Sequence, residues 1–253
     1  PEAVAAYEGV AASLHRYPDA AAADLRAALA TEHRVNAAQI VCGDGSDELL
    51  HLLALGYAGP GDDVLYSEYG FVVYPMVAHA VGARPRAVPE RDYTVDVDAM
   101  IAAVTPETRV VFVANPNSTG TCLPAAEVAR LHAALPGDVL LVVDAAYAEF
   151  VTMDGYDPGV DLVQTSTNTV MTRTFSKAYG LAGLRLGWCL APSPVVDALN
   201  RLRGPFNVTA PAQAAGVAAL GDKAFLDRVR AHNARWRPWL AERLADLGLH
   251  PVP

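Results

Sequence analysis

Short apolar runs alternate with Ala- and Leu-rich stretches of helical period along almost the whole chain. The runs at 109–114 and 139–143 are almost continuously apolar, which is typical of strands buried on both faces of a sheet. A strand followed by a helix that packs back onto the sheet is the repeating unit of parallel sheets. The sequence therefore predicts an α/β fold in three layers: a mainly parallel seven-stranded sheet with helices on both faces.

The same pattern assigns the individual elements. The predicted strands are residues 39–41, 63–66, 84–88, 109–114, 139–143, 169–173 and 186–190. The predicted helices are residues 20–33, 46–57, 71–81, 95–103, 124–134, 193–203, 210–219 and 222–247. A further strand is expected to start within 249–253. We predict three parts: an N-terminal segment at 1–18, a large domain at 19–220, and a connecting helix at 221–253 with the start of a truncated small C-terminal domain.

Composition excludes several classes of protein. With 52% hydrophobic and 19% charged residues among 253, the chain is typical of a globular protein with a sizeable core rather than of a disordered one. No apolar run approaches the roughly 18 residues of a membrane helix. A net charge of −9 disfavours nucleic acids and anionic membranes as partners, because both require a basic surface. We therefore expect small-molecule partners.

The three cysteines, Cys42, Cys122 and Cys189, are far apart and odd in number, which predicts neither a disulfide framework nor a zinc site. The seven histidines show no His-Glu-x-x-His spacing, and no Gly-x-Ser-x-Gly hydrolase motif occurs. No secretory signal precedes the first helix-like stretch, although the chain starts at Pro1 and its natural start is expected to lie upstream. We predict a cytoplasmic protein without a metal site.

Polar residues directly follow three of the predicted strands. In open α/β sheets, ligands bind beyond the carboxyl ends of the strands. We therefore expect an amide, an acid with a phenol, and a lysine with hydroxyls to converge at one edge of the sheet. They belong to Asn-Pro-Asn-Ser-Thr-Gly at 115–120, Asp-Ala-Ala-Tyr at 144–147 and Thr-Phe-Ser-Lys at 174–177.

Lysine is rare in this chain: 17 of the 19 basic residues are arginine, and only Lys177 and Lys223 are lysine. A lysine buried among hydroxyls and glycines has a lowered pKa and supplies the neutral amine that Schiff-base chemistry requires. The alternative is an ordinary surface lysine in a loop. Arg185 favours the first interpretation, because with Thr174 and Ser176 it offers a guanidinium and two hydroxyls suited to a phosphate monoester.

A second candidate phosphate site is the glycine turn at 42–50, where a strand leads into a helix whose free N–H groups can bind an anion. Ser46 or Asp47 could equally be a helix N-cap. The turn does not match Gly-x-Gly-x-x-Gly, and the second predicted strand ends at Tyr66-Ser67 rather than at an acidic residue. A dinucleotide-binding fold is therefore disfavoured.

Asp144 ends a fully apolar strand, where a carboxylate is costly unless it meets a cation. A protonated pyridine nitrogen would serve as that cation. The alternative is an N-cap for a following helix. Tyr147, three residues further on the same expected helical face, could donate a hydrogen bond to the same ligand, or could be a core aromatic.

The segments 43–48, 115–120, 144–147 and 173–185 resemble, in order, the motifs of fold-type I pyridoxal-phosphate aminotransferases, and specifically of the histidinol-phosphate aminotransferase family. The resemblance covers essentially the whole chain. It extends to His-Arg-Tyr-Pro-Asp at 15–19 and Arg-Gly-Pro-Phe-Asn at 203–207. It implies a fold-type I large domain that binds pyridoxal 5'-phosphate and a homodimer with a shared active site.

The resemblance also implies a role for individual residues. Lys177 holds the cofactor as a Schiff base, Asp144 pairs with the pyridinium nitrogen, and Tyr17 reaches the cofactor phosphate of the neighbouring subunit. Three residues meet the ring: Phe71 stacks on it, and Asn117 and Tyr147 bond its 3-oxygen. The implied phosphate ligands are Gly45, Ser46, Asp47, Thr174, Ser176 and Arg185.

The implied reaction transfers the amine of L-histidinol phosphate to 2-oxoglutarate, so that the partners are an amino donor and a 2-oxo acid. An aromatic-amino-acid transaminase and an amino-acid-phosphate decarboxylase of the same family are alternatives. The loop at 115–120 is one residue shorter than the family's Asn-Pro-Asn-x-Pro-Thr-Gly, so Asn117 is the best candidate for the ring ligand. The family's N-terminal substrate loop and C-terminal carboxylate-binding arginine have no counterpart here, which leaves a non-catalytic or truncated paralogue as a further alternative.

Overall fold

The structure, a computed structural model, describes residues 1–252. Within them a single seven-stranded sheet has the strand order β1-β7-β6-β5-β4-β2-β3. Only β7 is antiparallel to its neighbours, so six strands run in one direction and the predicted mainly parallel sheet is confirmed. The strands are β1 Ile40–Asp44, β2 Asp63–Ser67, β3 Arg84–Val88, β4 Thr108–Ala114, β5 Leu140–Asp144, β6 Thr169–Thr174 and β7 Leu186–Leu190.

Helices cover both faces of this sheet, and the alternation of side chains along β4 shows how. Val110 and Phe112 face a core shared with α3, α4 and α8, whereas Val111 and Val113 face a core shared with α5 and α6. A third core, on the side of α2 and α9, covers β1 and β7. The helices are α1 Glu2–Gly9, α2 Ala23–His33, α3 Gly45–Tyr57, α4 Val73–Ala80, α5 Val97–Ala102, α6 Ala125–Ala134, α7 Val160–Thr165, α8 Ser193–Leu202, α9 Ala210–Gly221 and α10 Lys223–Asp246.

Three elements differ from the sequence prediction. The helix α1 was not expected, because Ala3 is its only buried residue and its packing against α9 rather than its own pattern supports it. The helix α7 is six residues long, too short to show a period. The strand expected within 249–253 is absent from residues 249–252, which are irregular, and residue 253 lies outside the described residues.

The longest described helix, α10, buries only Leu226 along its 24 residues. Its surface carries large exposed apolar side chains, Trp236 and Trp239 among them. Of the helices within residues 1–252, none combines the length and the apolar composition needed to cross a membrane.

The strand order brings together the strand ends singled out in the sequence. The strands β4, β5 and β6 are parallel neighbours, with Ala114 opposite Asp144 and Asp144 opposite Thr172. Parallel neighbours end at the same edge of a sheet, so the segments that follow these strands lie side by side. That edge holds the candidate site.

Candidate active site

A cavity of about 210 Å³ lies at this edge of the sheet. It brings together ten of the twelve residues singled out in the sequence; Gly45 lies beside it and Tyr17 lies elsewhere. The residues that line it come from six separate stretches of chain, so the tertiary fold is needed to assemble it. They are Ser46, Asp47, Phe71, Ala114, Pro116, Asn117, Ser118, Asp144, Ala146, Tyr147, Thr174, Ser176, Lys177, Ala182 and Arg185.

One end of the cavity has the chemistry of an anion site. The Arg185 guanidinium lies 3.3 Å from Asp47 Oδ2 and 3.4 Å from Ser176 Oγ. Thr174 Oγ1 accepts a hydrogen bond from the Ser176 N–H at 3.1 Å. Gly45 has a φ of 77°, and a Cβ there would collide with the Arg185 guanidinium. Glycine at this position therefore lets the arginine close over the start of α3.

The interpretation of Ser46 or Asp47 as an N-cap is wrong. The helix α3 begins at Gly45, so its N-cap is Asp44, and no side chain caps it. The backbone N–H of Asp44 donates to Glu48 Oε2 at 2.6 Å. Ser46 and Asp47 therefore lie in the first turn, where backbone N–H groups have no partner within the helix and can bind an anion.

Asp144 lies on the floor of the cavity and is 3% exposed. Its carboxylate accepts hydrogen bonds from the Tyr74 hydroxyl at 2.9 Å and from Thr172 Oγ1 at 3.1 Å. Burial raises the pKa of Asp144 above its ordinary value, and these two hydrogen bonds oppose that effect without cancelling it. Within residues 1–252 the carboxylate contacts no cationic side chain. A cationic ligand in the cavity would therefore meet an unpaired carboxylate.

Two local expectations around Asp144 are wrong. No α-helix directly follows β5: residues 146 and 147 form a turn that leads into a short 3-10 helix, Ala148–Phe150. Asp144 is therefore not an N-cap, and Tyr147 does not share a helical face with it. The turn nevertheless brings Tyr147 to the cavity wall. An Asp-x-x-Tyr spacing is compatible with a turn as well as with a helix, which is why the sequence alone did not distinguish them.

Tyr74 was missed by the sequence analysis. It is fully buried on α4, stacks on Phe112 with ring centroids 4.8 Å apart, and burial together with Asp144 raises the pKa of its phenol well above the ordinary value. A signal was present: Tyr74 comes three residues after Phe71, a spacing that brings side chains together on one helical face. Phe71 itself precedes α4, lines the cavity and touches Tyr74 edge-on, with centroids 6.1 Å apart.

Lys177 is exposed rather than buried, contrary to expectation, because it faces the open side of the cavity. Its Nζ lies 5.2 Å from the centroid of the Tyr147 ring, a cation–π distance. The other lysine, Lys223, is paired with Glu32 on α2 and does not line the cavity. Lys177 is thus the one lysine at this site among the described residues.

Of the two asparagines in the loop after β4, Asn117 lines the cavity and Asn115 does not. The amide of Asn115 is used twice by the backbone of Leu123. The amide of Asn117 donates to the Tyr69 carbonyl at 3.1 Å and to Glu90 Oε1 at 3.4 Å, and its oxygen accepts from the Ser118 N–H at 2.7 Å. Glu90, which the sequence analysis did not single out, thus helps to orient the amide.

The family model described as aminotransferase class I and II matches residues 2–253. The chain belongs to the class I and II aminotransferase family. Among curated relatives, this aminotransferase is 54% identical to the histidinol-phosphate aminotransferase of Paramagnetospirillum magneticum, a match that covers 100% of this chain and 70% of that protein. It is 55% identical to the histidinol-phosphate aminotransferase of Rhodospirillum centenum, with 99% and 70% covered. The predicted family resemblance is confirmed.

Solved structures of aminotransferases share the fold. The histidinol-phosphate aminotransferase of Sinorhizobium meliloti, in complex with pyridoxal-5'-phosphate, superimposes with a TM-score of 0.95 at 34% identity, covering 100% of this chain and 69% of that one. A single mutant of Thermus thermophilus aspartate aminotransferase gives a TM-score of 0.89 at 25% identity, covering 100% and 71%. The predicted fold class is therefore confirmed.

Tyr17 lies outside the cavity of its own chain. It is 80% exposed and stacks on Phe206, with ring centroids 4.5 Å apart and planes 20° apart. In the loop that leads from Tyr17 to α2, Asp19 accepts hydrogen bonds from the N–H groups of Ala21 and Ala23. The Tyr17 ring of this aminotransferase is thus exposed on a surface that another molecule can contact.

Proposed function

We propose that this aminotransferase binds pyridoxal 5'-phosphate in the cavity and transfers the amine of L-histidinol phosphate to 2-oxoglutarate. The observation that carries the proposal is the convergence of Lys177, the buried Asp144 and the Arg185 anion site on one cavity. The names of the relatives support the choice of substrate. An amino-acid transaminase for aromatic substrates and a decarboxylase use the same cofactor residues, but no relative described above carries such a name.

The residues present fit this cofactor at both of its ends. A phosphate monoester suits the Arg185 guanidinium, the hydroxyls of Ser46, Thr174 and Ser176, and the backbone near Gly45. A protonated pyridine nitrogen suits Asp144, because a buried carboxylate is stabilised by an opposite charge. Pyridoxal phosphate carries both groups, which is the reason for choosing it over other phosphorylated ligands.

Each remaining residue of the cavity has a task around the ring. Phe71 would cover one face of the ring, and the side chains of Asn117 and Tyr147 would bond its 3-oxygen. Tyr74 and Thr172 hold the Asp144 carboxylate in place by their hydrogen bonds. When bound, the cofactor supplies an electron sink for the carbanion that forms at the substrate carbon. Asp144 keeps that sink effective by favouring the protonated ring nitrogen.

Lys177 carries out the proton transfers. Its Nζ would hold the cofactor covalently in the resting protein. When the substrate amine has displaced it, the same Nζ would act as the general base that removes the proton from the substrate carbon. Lys177 is exposed on the cavity side, where its Nζ contacts the Tyr147 ring.

We also propose a homodimer in which Tyr17 contacts the cofactor phosphate bound by the partner subunit. The exposed position of Tyr17 outside its own cavity supports this. A cytoplasmic location is part of the same proposal, and it is supported by three cysteines that are all unpaired within residues 1–252. The chain spans about 70% of the length of the relatives described above, and intact Lys177, Asp144, Tyr147 and Arg185 favour a catalytic protein over a non-catalytic paralogue.

Borohydride reduction of the protein after loading with pyridoxal phosphate tests the proposal. We expect a pyridoxyl group on the peptide that contains Lys177, and its loss in Lys177→Ala. Lys223→Arg is the matched control, because Lys223 pairs with Glu32 away from the cavity and should leave labelling unchanged. Labelling of Lys223, or of neither lysine, would refute the assignment.

The substrate is tested by single-turnover transamination with L-histidinol phosphate, L-phenylalanine and L-tyrosine as donors. We expect L-histidinol phosphate to convert the bound cofactor to its amine form fastest. A faster reaction with an aromatic amino acid would support the alternative transaminase. Release of carbon dioxide in place of amine transfer would support the decarboxylase.

A further inference from the structure

A buried ion pair lies directly behind the floor of the cavity. Arg173 Nη2 donates to Glu149 Oε1 at 2.6 Å, and the two side chains are only 8% and 4% exposed. Charged side chains of this kind are almost never buried unless they are paired. This pair does not line the cavity and takes no part in the chemistry proposed above.

The alternation of side chains along β6 explains its position. Thr172 bonds Asp144 and Thr174 lines the cavity, so the residue between them, Arg173, points to the opposite face of the sheet. There its guanidinium lies 6.0 Å from the Trp188 ring. Glu149 reaches the same place from the short 3-10 helix that follows Tyr147.

Burying this pair costs free energy that apolar side chains in the same space would not cost. Arg173 Nε and Glu149 Oε2 are buried without a hydrogen-bond partner, so the two charges satisfy each other incompletely. Apolar side chains of similar volume are often at least as stabilising as a buried ion pair. Stability alone therefore does not account for the pair, whereas a directional contact between two particular segments of chain does.

Those two segments carry Tyr147 and Lys177. Glu149 is two residues from Tyr147, and the intervening backbone is held by a hydrogen bond from the Phe150 N–H to the Tyr147 carbonyl at 3.0 Å. Arg173 is four residues from Lys177, with Phe175 bonded to the backbone of β7 between them. Such short tethers allow little independent movement. The ion pair is therefore connected, through short stretches of backbone, to the two residues whose side chains meet at the contact between Lys177 Nζ and the Tyr147 ring.

We propose that Arg173 and Glu149 are positioning residues that set the placement of Tyr147 relative to Lys177, and thereby tune the reactive lysine from behind the cavity. Arg230 on α10 supports Glu149 from a third side, because its Nε donates to the Glu149 carbonyl at 2.8 Å. The other titratable groups facing the pair are Tyr156, Tyr179 and His33. The inference rests on the proposed function, because it concerns Lys177 as the cofactor-binding lysine.

The test is a pH titration of the visible absorbance of the protein loaded with pyridoxal phosphate. For Glu149→Gln we expect the midpoint to shift by about 0.5 pH unit or more, a roughly threefold change in the equilibrium. Turnover should fall more than tenfold with a KM for amino donor within about threefold of wild type. Arg173→Lys keeps the charge and should shift the midpoint less. It also serves as the measured variant if Glu149→Gln does not fold.

Asp63→Asn is the matched control. Asp63 is likewise a buried carboxylate paired with arginine, at 2.7 Å from Arg84 Nε, but it lies at the start of β2 and does not line the cavity. We expect this variant to lose stability with an unchanged titration midpoint. Unchanged midpoints in both variants of the pair, with lowered unfolding temperatures, would reduce the pair to a structural role. A wild-type protein without a lysine-bound absorbance band would instead overturn the proposed function, and the inference with it.

Discussion

At the scale of single residues, the environment of Asp144 disfavours the charged form of its carboxyl in the free protein. Burial raises the pKa of its carboxyl, and two neutral hydroxyls are the only hydrogen-bonding side chains around it in the described residues. A group with a raised native pKa lowers stability wherever it is ionised. The same carboxylate becomes favourable once a cation faces it. Function and stability thus make opposite demands on this residue.

We therefore expect Asp144→Asn to raise the unfolding temperature of the cofactor-free protein at pH 7 while lowering transamination by about two orders of magnitude or more. Loading with pyridoxal phosphate through Lys177 should remain detectable. The gain in stability should be full above the raised native pKa of Asp144. It should vanish as the pH falls towards 3.8, because the Asp144 carboxyl of the wild type is then protonated in the unfolded chain as well as in the native state.

The comparison uses thermal unfolding from pH 7 to pH 4 and steady-state turnover. Asp44→Asn is the matched control, because Asp44 is likewise the last residue of a strand, β1, but its carboxylate is exposed. It should change neither stability nor turnover appreciably. Equal turnover in wild type and Asp144→Asn would show that Asp144 does not serve the cofactor ring.

At the scale of elements, the end of α2 shows packing outweighing local electrostatics. His33 is the last residue of α2, where the helix dipole favours a protonated imidazole. Its ring packs 4.8 Å from Trp188 of β7, and burial, together with the charge of Arg173, lowers the pKa of His33 to about 4. A dipole contribution of about 0.3–1 kcal/mol is too small to reverse that. The imidazole is neutral at pH 7.

The lowered pKa predicts an acid-sensitive contact between α2 and the sheet. The unfolded chain protonates His33 near pH 6.5, whereas the native state resists until about pH 4, so native stability falls as the pH drops between these values. The loss amounts to at most about 3 kcal/mol. His33→Gln should remove this part of the pH dependence, as measured by urea unfolding at pH 7, 6 and 5. His51→Gln, on the exposed side of α3, provides a matched substitution, and parallel curves for wild type and His33→Gln would contradict the prediction.

At the scale of the whole molecule, the open question is whether two copies of the chain build one site. Tyr17 is 80% exposed, and its stacking on the partly exposed Phe206 presents both rings on the same surface. Large exposed aromatic side chains at a specific position are typical of interfaces. This supports the proposal that Tyr17 acts on the cavity of the partner subunit.

Mixing two inactive variants tests that proposal. A heterodimer of one Lys177→Ala chain and one Tyr17→Ala chain has one site with both residues intact if Tyr17 acts across the interface, and none if it acts within its own chain. We therefore expect activity and cofactor retention to rise above those of either parent. With random mixing, about half of the dimers are heterodimers and each has one restored site out of two, so activity should approach about a quarter of wild type. The controls are verified chain exchange and impairment of Tyr17→Ala alone. No gain after exchange would exclude a shared site.

The predictable part of this molecule follows from short-range patterns. The strands β4, β5 and β7 could be located because each is a short, largely apolar run, and burial on both faces leaves few other conformations for such a run. The strand-end residues Asn117, Asp144 and Lys177 could be placed at one edge because parallel strands end together. Resemblance to a known family then supplied their expected roles.

What the sequence by itself determined was therefore the class of fold, the positions of its strands, and the residues that meet at the cavity. The tertiary structure alone decided the reversed direction of β7, the helices α1 and α7, and the partners of the buried charges. Tyr74 and Asp144 are 70 residues apart, and Arg173 and Glu149 are 24 apart. Local propensity and period act over a few residues, whereas the pairing of a buried charge depends on which distant side chain the packed fold brings within hydrogen-bonding distance.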